Sequence, residues 1–375
     1  MKKIAMFVNV DWFFLSHRLP IAQASKANNV DMTVYTDFTR DHSEAWKREF
    51  KLKQSPIRRT SKSIFHALFE FINAFKLIKT TNPDLIHAVT IKPIIVTGIV
   101  SRLHNIPFVG AITGLGPAFQ PKNYLGNIRL WVVIKLFKFI FRHTQSIVIC
   151  QTENDRDMLV KSNVISKDKA ILVPGSGVDI QKFSPELKDP SLEKYILMSS
   201  RILRDKGIEE FCKAAKIVNE ALKDKVNFKL SGPIDAHSPS FIKESDLIEI
   251  TNAYGVEYLG DREDMPELLA SALMFVLPSY YAEGIPKVLL EAASSGLAII
   301  TTDHPGCRDA IKNKETGILV PPKDEVALAD AIIKLLDNPK LMAQMGVSAR
   351  DFAEETFQES KVIELHYSIY QQLSN

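Results

Sequence analysis

The sequence predicts an α/β protein of two domains, each a parallel sheet wrapped by helices. Three observations carry this. The chain has 375 residues, more than one hydrophobic core comfortably organises, and domains of roughly 150–200 residues are the natural division. Short apolar runs alternate with longer helix-like segments through both halves, the pattern of βαβ units. The alternation breaks once, after Pro174-Gly175-Ser176-Gly177, where a polar, proline-containing stretch precedes a fresh series opening at Tyr195.

In chain order, the strand candidates of the first half are KIAMFVNV, VDMTVYT, DLIHAVT, IPFVGAIT, SIVICQT and KAILVPG. DWFFLSHR, following the first, reads as a further strand and its loop. The second half contributes YILMSS, VNFKLSG, VEYLG, MFVLPS and LAIITTD. The expected division is a basic first domain over 1–180, a linker over 181–193, a second domain over 194–358, and a C-terminal helix over 359–375 crossing back to the first domain. Two such sheets facing each other define a cleft, since open α/β sheets bind ligands beyond the carboxyl ends of their strands.

Composition narrows the function. Cys150, Cys212 and Cys307 are far apart and match no zinc or redox spacing, which argues for a reducing compartment. MKKIAMFVNV is too short for a signal peptide, and no uncharged apolar run reaches the about 18 residues of a spanning helix. The expectation is a cytoplasmic protein, at most held on the inner face of the plasma membrane.

Charge is unevenly distributed. Residues 1–185 carry 26 Lys and Arg against 13 Asp and Glu, whereas residues 47–142 alone hold 16 against 3. Residues 124–142, YLGNIRLWVVIKLFKFIFR, read as a helix whose Lys135, Lys138 and Arg142 share one face. Residues 57–79 mix Phe, Leu and Ile with flanking cations in the same way. A basic, apolar surface over 47–79 and 124–142 suits an anionic membrane. Nucleic acid is the rival anion, but no helix-turn-helix, RRM or zinc pattern is present.

Two stretches bear chemistry. In SSRILRDKGIEEF, a strand ends at Ser200, and Arg201 and Lys206 occupy the loop before a helix. Two cations beside a positive helix end suit a diphosphate, although loop cations are often merely solvated. In FVLPSYYAEGIPKVLLEAASSG, Pro286 fits the first turn of a helix, leaving the amides of Gly284, Ile285 and Lys287 to face an anion. Glu283 is then the last loop residue and a poor cap. Glu291 lies two turns on. As a Lys287–Glu291 surface pair it would be in the less favourable order; accepting two hydrogen bonds from a ribose diol is a better use of it.

Taken together, Arg201 with Lys206 and the Glu283-x7-Glu291 pair resemble the donor site of the retaining glycosyltransferases of family 4, with the GT-B fold. The resemblance spans nearly the whole chain through DWFFLSHRLPIA, DLIHAVTIKP, VGAITGLG, PGSGVD and YLGDREDMPELLASA. It implies that Arg201 and Lys206 neutralise the donor diphosphate, that Glu283 reads hydroxyls of the transferred sugar, and that Glu291 holds the ribose. The amides over Gly284, Ile285, Pro286 and Lys287 would meet the distal phosphate. No metal or other cofactor is expected.

The implied reaction moves a hexose or N-acetylhexosamine from a nucleotide sugar, UDP-linked, to a polyprenyl-diphosphate-linked saccharide in bacterial surface or protein glycan assembly. GDP-mannose is the alternative donor. Two departures stand out. The loop Asn9-Val10-Asp11-Trp12 lacks the usual glycine pair, and Thr113 before Gly114 replaces a histidine. His17 and His87, taken as strand-end residues, join Thr113 and Gly114 as acceptor or donor-loop candidates. A UDP-sugar epimerase of similar fold and a non-catalytic membrane scaffold are the rival classes. A dehydrogenase is not, since Gly110, Gly114 and Gly116 make no dinucleotide fingerprint.

Overall fold

A computed structural model describes residues 2–39, 42–59, 64–116, 119, 123–185 and 193–373. It contains two compact units, Met1–Ser176 with Ser360–Asn375, and Gly177–Glu359.

The first unit is built on seven strands: β1 (Lys2–Val8), β2 (Val30–Thr36), β3 (Leu52–Gln54), β4 (Leu85–Val89), β5 (Phe108–Ile112), β6 (Ser146–Cys150) and β7 (Ala170–Leu172). All pair in parallel, in the order β3-β2-β1-β4-β5-β6-β7. Its helices are α1 (Asp11–His17), α2 (Leu19–Gln23), α3 (Glu44–Glu49), α4 (Ile64–Thr81), α5 (Ile91–His104), α6 (Tyr124–Phe141) and α7 (Glu153–Lys161). The apolar residues of β4, β5 and β6 are continuous because helices cover both faces of the sheet, so alternation is not required.

The second unit has six strands: β8 (Tyr195–Ser199), β9 (Asn227–Ser231), β10 (Val256–Tyr258), β11 (Ala272–Leu277), β12 (Ala298–Thr302) and β13 (Gly317–Val320). Their order is β10-β9-β8-β11-β12-β13, again parallel. Six helices wrap it: α8 (Ile208–Ala221), α9 (Glu244–Tyr254), α10 (Met265–Ser271), α11 (Lys287–Ser294), α12 (Glu325–Leu336) and α13 (Pro339–Phe352). The chain leaves this unit through a π-turn at Ala353–Phe357, and α14 (Glu359–Gln372) then packs on the first unit, burying Val362, His366, Tyr367, Ile369 and Tyr370.

In both sheets the strand order reverses beside the first strand, between β1 and β4 and between β8 and β11. Loops at such switch points diverge to opposite faces and leave a crevice, where doubly wound sheets take their ligands. The loops after β8 and β11 carry Arg201, Lys206 and Glu283.

Several sequence expectations are corrected. DWFFLSHR is helical: Val10, Asp11, Phe14 and Arg18 are the buried positions, a three-to-four spacing that its β-prone aromatics do not reveal. His17 is therefore the last residue of α1, not a strand end. His87 is the third of five residues of β4 and fully buried, so it lies inside the sheet and not at its edge. Strands β3 and β13 escaped notice because each is short and sits at a sheet edge. Of the expected linker 181–193, residues 181–185 belong to the second unit, where Phe183 accepts a 2.6 Å hydrogen bond from Ser294 Oγ. Residues 186–192 of the expected linker lie outside the described residues.

Helices α4 and α6 flank α5 on one face of the first sheet. Each buries a narrow stripe and leaves large apolar side chains exposed: Phe65, Leu68 and Phe69 on α4, and Tyr124, Leu125 and Trp131 on α6. Cations sit among them, with Arg102 over the Phe139 ring at 4.8 Å and Lys135 over Trp131 at 5.5 Å. Among the described residues no helix is long and apolar enough to cross a membrane. Residues 60–63 of the basic stretch lie outside the described residues.

Candidate active site

The site of the second unit begins at the end of β8. Arg201 follows the strand, and Arg204–Lys206 form one 3-10 turn closed by Gly207. Gly207 has φ +81°, and a Cβ there would lie 2.3 Å from the Pro278 carbonyl oxygen. Only glycine allows this turn to press against the end of β11. Tyr280 N donates to Asp205 O at 2.9 Å and fastens the contact, while Lys206 N to Leu203 O at 3.0 Å closes the turn itself. The turn thereby delivers Lys206, 5% exposed, under the loop that leaves β11.

That loop carries Glu283, whose Oε1 forms an ion pair with Lys206 Nζ. Arg201 Nη1 binds Asp235 Oδ2 at 2.9 Å, reaching the loop after β9. Tyr281 lies against both cations: its ring centroid is 5.4 Å from the Arg201 guanidinium carbon and 5.4 Å from Lys206 Nζ. The two cations are thus held by carboxylates and one aromatic face in a partly buried setting. Burial works against the Arg201 charge, but Glu283, Tyr281 and Asp235 outweigh it and hold its pKa above the usual value.

Helix α11 starts at Lys287, one residue later than Pro286 suggested; Pro286 occupies the cap position with φ −62° and ψ 121°. Its fixed φ still directs the chain into the helix. The amides of Gly284, Ile285 and Lys287 stand at the positive end of the helix dipole. Gly306, at φ +86°, closes over this turn, since a Cβ there would meet the Gly284 carbonyl oxygen at 2.3 Å.

Glu291 is one turn into α11. Burial raises its carboxyl above the usual range, with Lys287 and Lys182 opposing. Among the described residues no hydrogen bond or ion pair forms to its carboxylate, so the surface-pair reading with Lys287 is not realised. A half-buried carboxylate without donors is costly unless a ligand supplies them.

Arg201, Lys206, Glu283, Gly284, Ile285, Pro286 and Lys287 therefore come together at one switch point, with Glu291 on the helix that leaves it. Sequence reasoning missed Asp235 and Tyr281. Asp235 has no motif signal. Tyr281 lies two residues before Glu283 in SYYAEG, a signal only once an aromatic face beside two cations is considered.

In the first unit the candidates separate. Thr113 and Gly114 (φ +111°) follow β5 and are half-exposed. His17 is half-buried, its Nδ1 2.5 Å from Ser16 Oγ and its ring stacked on Phe13. His87 Nδ1 meets Tyr370 Oη of α14 at 2.7 Å in the core. Burial, then His366 and Arg18, holds His87 neutral well below its usual pKa. It fastens α14 to the sheet.

Comparison with known proteins agrees with this geometry. The chain matches the family described as glycosyl transferase 4-like over residues 3–152 and glycosyl transferases group 1 over residues 179–352. It is 29% identical to the N,N'-diacetylbacillosaminyl-diphospho-undecaprenol alpha-1,3-N-acetylgalactosaminyltransferase of Campylobacter jejuni, over 95% of this chain and 97% of that one. It is 26% identical to the UDP-Gal:alpha-D-GlcNAc-diphosphoundecaprenol alpha-1,3-galactosyltransferase of Escherichia coli, over 77% and 75%. In fold it is similar to Anabaena HepE in complex with UDP and glucose, with TM-score 0.78, 18% identity and full coverage, 100% of each chain. Two family matches in tandem, one on each doubly wound unit, show that this chain belongs to the family 4 glycosyltransferases of the GT-B fold.

Proposed function

We propose that the protein transfers a hexose or N-acetylhexosamine from a UDP-sugar to a polyprenyl-diphosphate-linked saccharide in bacterial glycan assembly. The observation that carries the donor half is the grouping of Arg201, Lys206, Glu283 and the α11 amides at one switch point. The acceptor class is supported by the relatives above, two of which are named for diphospho-undecaprenol-linked saccharides.

As the bond from the anomeric carbon to the donor phosphate breaks, the diphosphate gains charge. Arg201, Lys206 and the amides at 284, 285 and 287 are preorganised to neutralise it, the usual largest contribution to such a reaction. Glu283 reads hydroxyls of the departing sugar, and Glu291 accepts hydrogen bonds from the ribose diol. This arrangement supplies the charge neutralisation through side chains, so we assign the transfer as metal-independent and, by family resemblance, retaining. The apolar, cation-bordered faces of α4 and α6 support docking on an anionic membrane, on the cytoplasmic side where nucleotide sugars are made.

The test is a panel of UDP-, GDP-, dTDP- and ADP-sugars, each with and without a polyprenyl-diphosphate saccharide and with EDTA. One UDP-sugar consumed only with the lipid acceptor, undiminished by EDTA, is the expected result. Consumption without acceptor and with a new sugar isomer would overturn it in favour of an epimerase; selective use of GDP-mannose would move the donor assignment.

A further inference from the structure

The loop after β9 borders the cluster of Arg201, Lys206 and Glu283, although nothing in the sequence marks it. Strands β8 and β9 pair in register up to Ser199 and Ser231, and their ladder continues past both ends. Ser200 N donates to Ser231 O at 3.0 Å, and Ile202 N to Pro233 O at 2.9 Å. Gly232, at φ +138°, permits the close approach, since a Cβ there would lie 1.8 Å from the Ser200 carbonyl oxygen. Further on, Leu203 pairs with Phe241, and Arg204 N donates to Ser240 O at 2.8 Å. Segments 200–204 and 231–241 thus fasten each other before and after Arg201.

Asp235 stands just beyond this ladder, and each of its carboxylate oxygens has a contact. Oδ1 accepts from His237 N at 3.3 Å, a turn within its own loop that aims the other oxygen. Oδ2 accepts from Arg201 Nη1 at 2.9 Å. The Asp235 side chain is 10% exposed, so the pair is sheltered from the screening that weakens surface pairs. A carboxylate that only closed its own turn would need one oxygen; the second reaches back 34 residues to a cation. That cation has a competing anion. Burial opposes the Arg201 charge, and among the groups that favour it Glu283 acts more strongly than Asp235. Glu283 is already the partner of Lys206. A guanidinium left to turn would be drawn toward Glu283 and would place two cations on one carboxylate.

We propose that Asp235 is a positioning residue of the donor site, holding Arg201 by Nη1 so that its remaining N–H groups face the donor diphosphate and the Lys206–Glu283 pair stays undisturbed. The guanidinium is a rigid plane with five N–H donors, so one bond at Nη1 restrains its direction and leaves the others for phosphate oxygens. Asp235 acts only through Arg201. This assignment rests on the glycosyltransferase reading given above, in which Arg201 neutralises the diphosphate.

The test is a double-mutant cycle on the whole chain. UDP is the probe in calorimetry, and the nucleotide sugar selected by the panel above, radiolabelled, is the substrate for turnover. Asp235→Ala should lower kcat by ~10-fold, the kind of loss that a misplaced group brings, and should weaken UDP binding. In the Arg201→Ala background the same change should cost nothing further in kcat or UDP affinity, to within about twofold. A loop damaged by the loss of Asp235 would lose both whether or not Arg201 is present. A further fall of similar size in the double variant therefore overturns the proposal, as does wild-type turnover in Asp235→Ala. Should Asp235→Ala fail to fold, Asp235→Asn takes its place in the cycle, keeping an acceptor for Nη1 without the charge. A smaller loss that vanishes in the Arg201→Ala background then supports the proposal; wild-type behaviour, or a loss that persists there, overturns it. These outcomes leave the glycosyltransferase reading intact, whereas failure of the wild type to transfer any nucleotide sugar overturns both.

Discussion

Lys206 and Glu283, 77 residues apart, form an ion pair. Under the proposed roles, the diphosphate for Lys206 and the sugar for Glu283, donor binding would exchange this ion pair for two contacts with the ligand. The pair neutralises a buried ammonium.

Removing one member should therefore have two separable effects. Glu283→Ala leaves Lys206 buried without its carboxylate and should destabilise the second unit by about 1–3 kcal/mol, measurable by thermal melting. Added UDP should restore much of this loss by supplying an anion to Lys206. Turnover should fall by ~100-fold or more, and Arg201→Ala should match it, the scale for losing one transition-state donor. Near-normal turnover in both variants would reject this site.

Tyr281 should act through the cations it touches. Tyr281→Leu removes the aromatic face shared by Arg201 and Lys206 and should raise the donor KM about tenfold, with kcat less affected. Tyr281→Phe keeps the face and should stay near wild type. Equal loss in the two variants would mean that the hydroxyl, and not the ring, matters.

Glu291, proposed to hold the ribose, should give nucleotide binding a pH dependence. Its folded-state pKa is raised by burial, so the charged form is the costly one. Stability then falls as pH rises from the unfolded carboxylate value through the higher folded value. Ribose binding needs the ionised form. UDP affinity measured by calorimetry should weaken on acidification from above the usual carboxylate range, and Glu291→Gln should bind more weakly while losing that slope.

The first unit should be acid-sensitive for the opposite reason. His87 and His366 are buried neutral; burial, then Arg18, lowers His366 from 6.5 to about 3. The unfolded chain binds protons first, so stability is full above the unfolded pKa and is lost as pH falls from 6.5 toward about 3. The slope should approach ~1.4 kcal/mol per pH unit per histidine. Melting temperature against pH should show this loss, and a reduced slope in His366→Leu would assign it.

Much of this molecule is written in local patterns. Eleven strand runs are apolar and bounded by turn residues, and the donor residues fall where strands end and helices begin. Distant contacts are not local. Asp235 reaches Arg201 across 34 residues, and His87 meets Tyr370 across 283; neither pairing leaves a spacing to read. Aromatic side chains misled in DWFFLSHR, where a buried helical stripe overrode β propensity.

The return of α14 to the first unit makes that unit discontinuous, with the whole of the second inserted between Ser176 and Ser360. On the ribosome the order of completion is thereby reversed. Residues 1–176 emerge before the second unit, yet Arg18 and His87 lie buried beneath α14, which is made only after every strand of that unit has been synthesised. The second unit is free to finish while the first waits for α14. Premature termination anywhere between Gly177 and α14 would release a chain whose first core is still open, a species suited to capture by chaperones.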